Sequence, residues 1–325
     1  MMRAMGLVST SKSALRGMAK SVIFPVLGSA QLLRRRLDRV RAARVTTVLN
    51  LHRVAPVDGS NYPPLAPALF EDLLAFVTRE FLVVTFGELG ETSSKPKLVL
   101  SFDDGYRDFV THAVPAMKRH GVRANQNIIP RCVETGLPPL NVLAQDFVGK
   151  APRELVADLN VPGYSGPRDR SFGAQLSHFL KMRPQTQQDR LAEVLIPQFF
   201  AWDGFNPTPM MNADELKCLT EHEIGAHSWA HSSMEFESDN YLDEDVRRCR
   251  AWFHDRLRLP MMIYAFPNGS WREGQPERVL QQGVEHVLLV GEDFDRDRRV
   301  HQRFTFHAHN FPEARFRAAG GLAPV

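Results

Sequence analysis

The stretch KLVLSFDDGYRDF, Lys97–Phe109, places two adjacent carboxylates and a glycine directly after a short apolar strand pattern. Asp-Gly is a common turn signal, and an acidic side chain before a helix can cap it, so a purely structural explanation exists. Adjacent like charges are nevertheless costly unless a positive group, such as a metal ion, lies beside them. Asp103 and Asp104 therefore predict a cation whose other ligands come from elsewhere in the chain.

Strand-like and helix-like segments alternate from residue 45 onward. The strand patterns are VTTVLNL, LVVTF, KLVLSF, RANQNII, EIGA, MIYAF and EHVLLV. Repeated strand–helix units imply an α/β fold with a mostly parallel sheet, either a barrel or doubly wound. The stretch 137–205 breaks this alternation with GLPPL, VPGYSGPRDR and a Gln-rich helix pattern, and we interpret it as an insertion that covers one mouth of the sheet.

The composition is that of an ordinary globular protein. A chain of 325 residues can bury a large core in one large α/β domain or two smaller ones. Cys132, Cys218 and Cys249 are widely separated and lack C-x-x-C spacing, so they indicate neither a disulfide framework nor a zinc ribbon. A reducing compartment fits this cysteine usage best, and nothing in the sequence indicates a nucleic-acid partner.

The positive charge is concentrated at the amino terminus. Residues 1–45 contain ten Lys or Arg against one acid and carry +9, whereas the whole chain carries +3, so residues 46–325 carry −6. The sequence thus predicts a basic amphipathic segment over residues 1–45 and an α/β domain over residues 46–325.

The basic segment admits three explanations. QLLRRRLDRVRAAR places Leu33, Leu37 and Val40 at helical spacing opposite the arginines, as in helices that lie on an anionic membrane surface. The same pattern suits a solvated helix that packs on its own domain. A cleavable signal peptide is the third explanation, because Gly28–Ala30 resembles a cleavage site, but the surrounding arginines disfavour export. We therefore expect a cytoplasmic protein with peripheral contact at the inner membrane face.

A second motif, EIGAHSWAHSSM, contains His227 and His231 four residues apart at the end of a strand pattern. This spacing is common among metal ligands, because neutral imidazoles suit zinc and similar ions. Twelve histidines in the chain also make chance pairs common, so the pair alone is weak evidence.

Four strand patterns end in polar residues: His52 follows the first, Asp103 the third, His227 the fifth and Asn268 the sixth. In parallel α/β folds the carboxyl ends of the strands lie on one face, where active sites are built. We therefore expect these side chains to converge at one mouth of the sheet.

Asp104, His227 and His231 would form an open three-ligand site, as in catalytic zinc centres. The predicted cofactor is one divalent metal, Zn²⁺ first, with Co²⁺, Ni²⁺ and Mn²⁺ as alternatives. Asp103, kept ionised by the cation, would be the general base.

SFDDG and HSWAH resemble the first two motifs of the polysaccharide deacetylase family, the NodB-homology domain of carbohydrate esterase family 4. LHRVAP, YPPLAPALFEDLLAFV and YAFPNG are similar to bacterial members as well, so the resemblance covers about residues 46–310. It implies a distorted (β/α) barrel of seven or eight strands that hydrolyses the N-acetyl group of an amino sugar.

The resemblance also implies residue roles. Asp103 is the base, Asp104, His227 and His231 bind the metal, and the backbone N–H near Asn268 helps to hold the oxyanion. The chain departs from the family pattern at two places. Ala265 stands where the third motif usually has Arg, and no late L-x-H motif supplies the acid.

His52 is the predicted catalytic acid. LHRV resembles the early YH element of poly-N-acetylglucosamine deacetylases, circularly permuted relatives in which an N-terminal His has this role. The alternatives are His307 and His309 as acids, and a structural role for His52 as a strand-end residue held by a hydrogen bond.

The sequence thus predicts a metal-dependent deacetylase that acts on an N-acetylated sugar of a surface polysaccharide or its lipid-linked precursor. Trp229, between the two histidines, is the best candidate for stacking on a sugar ring. Two other functions remain open: a catalytically impaired carbohydrate-binding relative, which the missing Arg would explain, and an amidohydrolase acting on a small non-sugar amide.

Overall fold

The structure is a computed structural model that describes Phe24 and residues 26–325. In these residues the strands are β1 (Thr46–Leu51), β2 (Leu82–Val83), β3 (Lys97–Phe102), β4 (Asn125–Ile128), β5 (Glu223–Ala226), β6 (Ile263–Ala265), β7 (His286–Val290) and β8 (Val300–Thr305). The helices are α1 (Ala30–Ala43), α2 (Pro67–Glu80), α3 (Val114–Arg119), α4 (Pro130–Thr135), α5 (Leu140–Lys150), α6 (Arg153–Asp158), α7 (Phe172–Lys181), α8 (Gln185–Phe200), α9 (Ala213–Lys217), α10 (Asp239–Trp252), α11 (Gln275–Gln281) and α12 (Phe311–Ala318).

The strands form a closed parallel barrel. Their order is β1-β8-β7-β6-β5-β4-β3, and a further parallel pairing of β1 with β3 closes the seven strands. The short β2 pairs in parallel with the first residues of β3 and lies outside the ring. The predicted distorted (β/α) barrel is therefore confirmed.

The barrel interior changes from apolar to polar toward the carboxyl ends of the strands. Val48, Val99 and Leu288 belong to one buried apolar cluster inside the ring. Side chains two residues apart in a strand share a face, so the next inward position on β3 is Ser101. Its hydroxyl donates to Asn125 Oδ1 on β4 at 2.8 Å. The polar layer begins here and leads to the mouth of the barrel.

Helices α5–α8 lie between β4 and β5, within the insertion that the sequence predicted over residues 137–205. They surround a hydrophobic cluster separate from the main core, built from Leu143, Ala144, Phe147, Leu159, Val161, Phe172, Leu176, Leu180, Leu191, Leu195, Phe199 and Phe205. Asn141 and Lys181 from this segment line the cavity at the mouth of the barrel. The boundaries of the two predicted domains stay predictions.

Helix α1 packs on the barrel through its apolar face. Leu33, Leu37 and Val40 are buried in the main core, and Arg36 Nε donates to the Ala319 carbonyl at 3.1 Å. This is the second of the three explanations considered for the segment. Residues 1–23 of the basic segment lie outside the described residues. Among those described, no helix combines the length and hydropathy that crossing a membrane requires.

Candidate active site

The register of β1 and β3 brings His52 beside Asp103. Leu51 and Phe102 are paired at the ends of these strands, and the Asp103 amide donates to the Leu51 carbonyl at 2.9 Å. The His52 ring lies edge-on to Tyr62, with 5.9 Å between the ring centroids. In the part of the chain that the structure describes, the His52 ring makes no hydrogen bond, so the strand-end structural role gains no support.

Asp104, His227 and His231 come together as the sequence predicted for a metal site. Asp104 Oδ1 lies 3.5 Å from His227 Nε2 and 3.4 Å from His231 Nε2. One ligand atom from each residue lies within 4.8 Å of the others. His227 Nδ1 lies 2.9 Å from the Ala265 carbonyl, which accepts its proton and leaves Nε2 free to bind a cation.

The unsatisfied atom of this cluster fits a cation. Asp104 is buried, and its Oδ2 accepts a hydrogen bond from the Tyr106 hydroxyl at 2.8 Å. Its Oδ1, which faces the two imidazoles, has no hydrogen-bond partner among the described residues. Such an oxygen is costly to bury, and a carboxylate with two imidazoles is a donor set for Zn²⁺ and similar ions. The residues fit a divalent metal, whose identity stays a prediction.

Backbone strain is concentrated at this cluster. Asp104, Ser228, His231 and Asn268 have positive φ angles of 76°, 61°, 65° and 60°, a region that non-glycine residues seldom adopt. Such conformations persist only where the surrounding structure enforces them, and they cluster at functional sites. The structure at the barrel mouth thus holds the SFDDG and HSWAH motifs in a fixed geometry.

Asp103 is held ionised by protein groups. Arg303 Nη1 donates to Asp103 Oδ1 at 2.7 Å, and Asn127 Nδ2 donates to the same oxygen at 2.8 Å. Burial alone would raise the pKa of Asp103, but the Arg303 guanidinium, assisted by His227, holds this pKa well below its usual range. The other oxygen, Oδ2, lies 3.7 Å from His227 Nε2. Asp103 is therefore a carboxylate base directly beside the predicted metal ligands.

An arginine from another strand reaches Asp103, whereas Ala265 contributes no guanidinium to the site. The Ala265 side chain packs in the apolar interior of the barrel, and only its carbonyl reaches the site, through His227. Arg303 enters from β8 and is fully buried. The sequence interpretation missed both β8 and Arg303. The available signal was an Arg within a short strand pattern, VHQRFT, which requires a buried anion as its partner.

A second residue missed by the sequence interpretation supports the loop that carries the histidines. Asp245 on α10 is buried, and its Oδ1 accepts from the Ser228 hydroxyl at 2.9 Å and from the Trp229 amide at 3.0 Å. Its Oδ2 accepts from the Tyr264 hydroxyl at 2.8 Å. This carboxylate fixes the backbone between His227 and His231. Asp245 lies on a later helix, 17 residues after Ser228, so the local sequence around the histidines gives no signal for this contact.

A cavity of about 510 Å³ opens over the site. His52, Asn268, His307 and His309 line it together with Asp103, Asp104 and the two ligand histidines. His307 and His309 are exposed at the rim, whereas His52 lies deeper.

Trp229 is not brought to this cavity. It lines a neighbouring groove with Trp252, and the Arg248 guanidinium lies 4.2 Å from the centroid of its ring. The predicted stacking of Trp229 on a sugar in the catalytic cavity is therefore not supported, because the ring already faces Arg248.

Comparison with known proteins agrees with this geometry. The family model described as polysaccharide deacetylase matches residues 199–287, which include His227, His231 and Asn268. This confirms the resemblance to the polysaccharide deacetylase family. No curated protein matches the sequence.

Solved structures of deacetylases share the fold. The deacetylase PplD of Streptococcus pyogenes, solved in complex with acetate, is 13% identical, with 85% of this chain and 98% of that chain covered and a TM-score of 0.57. A polysaccharide deacetylase from Bacillus cereus is 10% identical over 85% of this chain and 69% of that chain, with a TM-score of 0.54. IcaB from Ammonifex degensii is 16% identical over 85% and 97%, with a TM-score of 0.51.

Proposed function

We propose that this protein is a metal-dependent hydrolase that removes the N-acetyl group from an amino sugar of a surface polysaccharide or its lipid-linked precursor. The observation that carries the proposal is the position of Asp103, whose Oδ2 lies 3.7 Å from His227 Nε2 while its Oδ1 is paired with Arg303. An ionised base beside a two-His, one-Asp ligand set is the arrangement that amide hydrolysis needs. The family match over residues 199–287 supports the same chemistry.

The roles follow from the positions of the side chains. Asp104, His227 and His231 would hold the metal, which supplies Lewis-acid activation when bound. Asp103 takes a proton from the attacking water as its oxygen bonds to the acetyl carbon. Asn268 lines the cavity, and a backbone N–H near it would help to hold the oxyanion.

Cleavage of the C–N bond requires a proton on the departing nitrogen, because an amine anion is too basic to leave. We assign this proton to His52. Burial lowers the pKa of His52, and Asp104 and Asp103 oppose this by raising it. The two carboxylates thus favour the protonated form of His52, which donates this proton. The products are then acetate and the free amine.

The Arg303 contact weakens the case for a catalytically impaired relative. That alternative depended on Ala265 replacing the Arg of the third motif, and Arg303 supplies a guanidinium to Asp103 from β8. An amidohydrolase acting on small non-sugar amides would use the same residues. Incubating the zinc-loaded protein with N-acetylated amino sugars, their oligomers and small acetamides separates the two. Equal amounts of acetate and free amine from sugars alone support the proposal, and release from small amides alone contradicts it.

We also propose a cytoplasmic location with peripheral contact at the inner membrane face, based on the +9 charge of residues 1–45. Because the apolar face of α1 is buried, the contact would be electrostatic, at about 1 kcal/mol per basic residue near the surface. Anionic vesicles at low salt should bind the full chain more strongly than a chain beginning at Val45. Equal binding of the two would contradict the proposal.

A further inference from the structure

The Lys and Arg side chains that line the catalytic cavity are paired with acids, with one exception among the described residues. Arg53 Nη2 lies 2.8 Å from Asp58 Oδ2, and Arg53 Nε lies 2.9 Å from Asp108 Oδ2. Asp103, which also lines the cavity, is paired with Arg303, with 2.7 Å between Oδ1 and Nη1. Arg53 therefore has no unpaired positive charge to offer to a ligand.

Lys181 is the exception. It ends helix α7, lines the same cavity as His52 and Asp104, and is only partly accessible. In the part of the chain that the structure describes, its ammonium has neither a hydrogen bond nor an ion pair. Asp104 attracts this ammonium from beyond ion-pair distance, but that carboxylate already faces the two imidazoles as a predicted metal ligand.

Helix α7 holds Lys181 at this position. Gly173, Ser177 and Lys181 lie four residues apart and so share one face of the helix. That face packs against the loop that follows β1, since a Cβ on Gly173 would lie 2.5 Å from Asn61 Nδ2. The adjacent Tyr62 lines the catalytic cavity. The insertion therefore packs on the loop that follows β1, and Lys181 lies on the packed face of α7, at the cavity wall.

An ammonium that is partly withdrawn from water and lacks a partner is unfavourable unless a ligand supplies the counter-charge. We propose that Lys181 binds an anionic group, a carboxylate or a phosphate, on the sugar substrate, so that the protein selects acidic N-acetylated amino sugars. This inference rests on the proposed function only in calling the sugar a substrate. The binding of acidic sugars can be measured without turnover.

The test is equilibrium binding by titration calorimetry to the zinc-loaded full chain. Asp103→Asn serves as the common background, so that no ligand is hydrolysed. The probes are N-acetylglucosamine, N-acetylglucosamine 1-phosphate and the uronic acid of N-acetylglucosamine. Lys181→Met removes the charge, Lys181→Arg keeps it, and Lys118→Met removes a charge from the exposed surface of α3 as the matched control. Unfolding midpoints show whether each variant is folded.

We expect Lys181→Met to weaken binding of an acidic sugar by about 10- to 100-fold, the size of a hydrogen bond to a charged group. Binding of neutral N-acetylglucosamine should be unchanged, and Lys181→Arg and Lys118→Met should keep most of the affinity. Whichever acidic probe is weakened identifies the carboxylate or the phosphate. Equal loss for the neutral and acidic sugars, no loss for either acid, or no binding of the acids to the parent protein would overturn the inference. Absence of deacetylation with charge-dependent binding intact would instead contradict only the proposed function.

Discussion

Arg303 on β8 and Asp103 after β3 form a buried ion pair across the barrel, with 2.7 Å between Nη1 and Oδ1. The same Arg303 Nη1 donates to Ser101 Oγ at 3.1 Å, and Nε donates to the Leu289 carbonyl at 3.2 Å. One guanidinium therefore links β8 to the neighbouring β7 and, across the barrel, to β3. The ion pair forms part of the polar layer inside the barrel and keeps Asp103, the candidate base, ionised.

Replacing Arg303 by Met should strongly destabilise the protein. The substitution leaves the Asp103 carboxylate buried without its cation, and breaking a buried pair costs about 3–5 kcal/mol of unfolding free energy. Urea unfolding of the Arg303→Met variant measures this loss. The rate of acetate release should fall as well, because the base loses the group that orients it.

A double-mutant cycle separates the pair from simple loss of packing. Asp103→Asn keeps the volume and leaves no uncompensated charge in the Arg303→Met background. The two substitutions together should therefore cost less than the sum of the single variants, with a coupling of about 1–3 kcal/mol. Additive effects, within about 0.5 kcal/mol, would show that the two side chains do not interact as the structure indicates.

Asp245→Asn should lower metal affinity without touching a ligand. Asp245 holds the Ser228 hydroxyl and the Trp229 amide in place, and loss of such outer contacts typically reduces metal affinity 10–100-fold. Competition with a zinc indicator measures the change. Glu244→Gln, at an exposed neighbour on α10 that contacts Arg247, is the matched control. Equal zinc affinity in both variants would mean that Asp245 has no part in the site.

His52→Ala should reduce turnover, whereas His307→Ala and His309→Ala should not. General acid catalysis contributes about 10²–10⁴-fold in rate, and His52 alone of the three lies inside the cavity rather than at its exposed rim. Acetate release is compared at equal metal content on one substrate. A metal-replete His52→Ala protein that keeps the wild-type rate would exclude His52 from the mechanism.

Acid should destabilise the opposite end of the barrel. His286 Nδ1 lies 2.9 Å from His301 Nε2, and His301 Nδ1 lies 2.9 Å from Asp295 Oδ2. Burial, followed by the nearby His301 and Arg299, lowers the pKa of His286 to about 4. Its unfolded pKa is about 6.5, so between these values the unfolded chain binds more protons. The contribution of His286 to stability is therefore complete above pH ~6.5 and is lost as the pH falls toward ~4.

His286→Gln keeps a donor for His301 but cannot titrate, so unfolding stability should fall less between pH 6.5 and 4 than in the parent. His254→Gln, at an exposed histidine beside Asp255, is the control and should keep the parent slope. An unchanged slope for His286→Gln would show that His286 is not the titrating group.

The strand patterns were sufficient to predict a parallel α/β sheet and the residues that end its strands, and the family resemblance specified a barrel. Asp103, Asp104, His227 and Asn268 each follow a recognisable strand pattern, and the carboxyl ends of parallel strands must share one face. Convergence at one mouth therefore follows from topology without knowledge of any distance. Their catalytic roles stay predictions until variants are measured.

Contacts between distant elements could not be predicted in the same way. Strand β8 has His301 and Arg303 at buried positions, so its strand pattern is weak, and its Arg is explained only by Asp103 two hundred residues earlier. In the sequence, Asp245 is one of several charged residues on a helix. Nothing there indicates that it accepts hydrogen bonds from Ser228, Trp229 and Tyr264. The sequence position of Trp229 between the two histidines favoured a place in the site. In the structure the Trp229 ring lies in a neighbouring groove, and the preceding Ser228 has a positive φ angle.

The most direct test of the central claim is a paired measurement of zinc content and acetate release on full-length Asp103→Asn and His231→Ala. We expect Asp103→Asn to keep one zinc per chain while turnover falls by about 10²–10⁴-fold, because the base is lost and no metal ligand is changed. We expect His231→Ala to lose both the zinc and the activity. Full zinc occupancy in His231→Ala, or wild-type acetate release by Asp103→Asn, would overturn the assignment of a base beside a metal site.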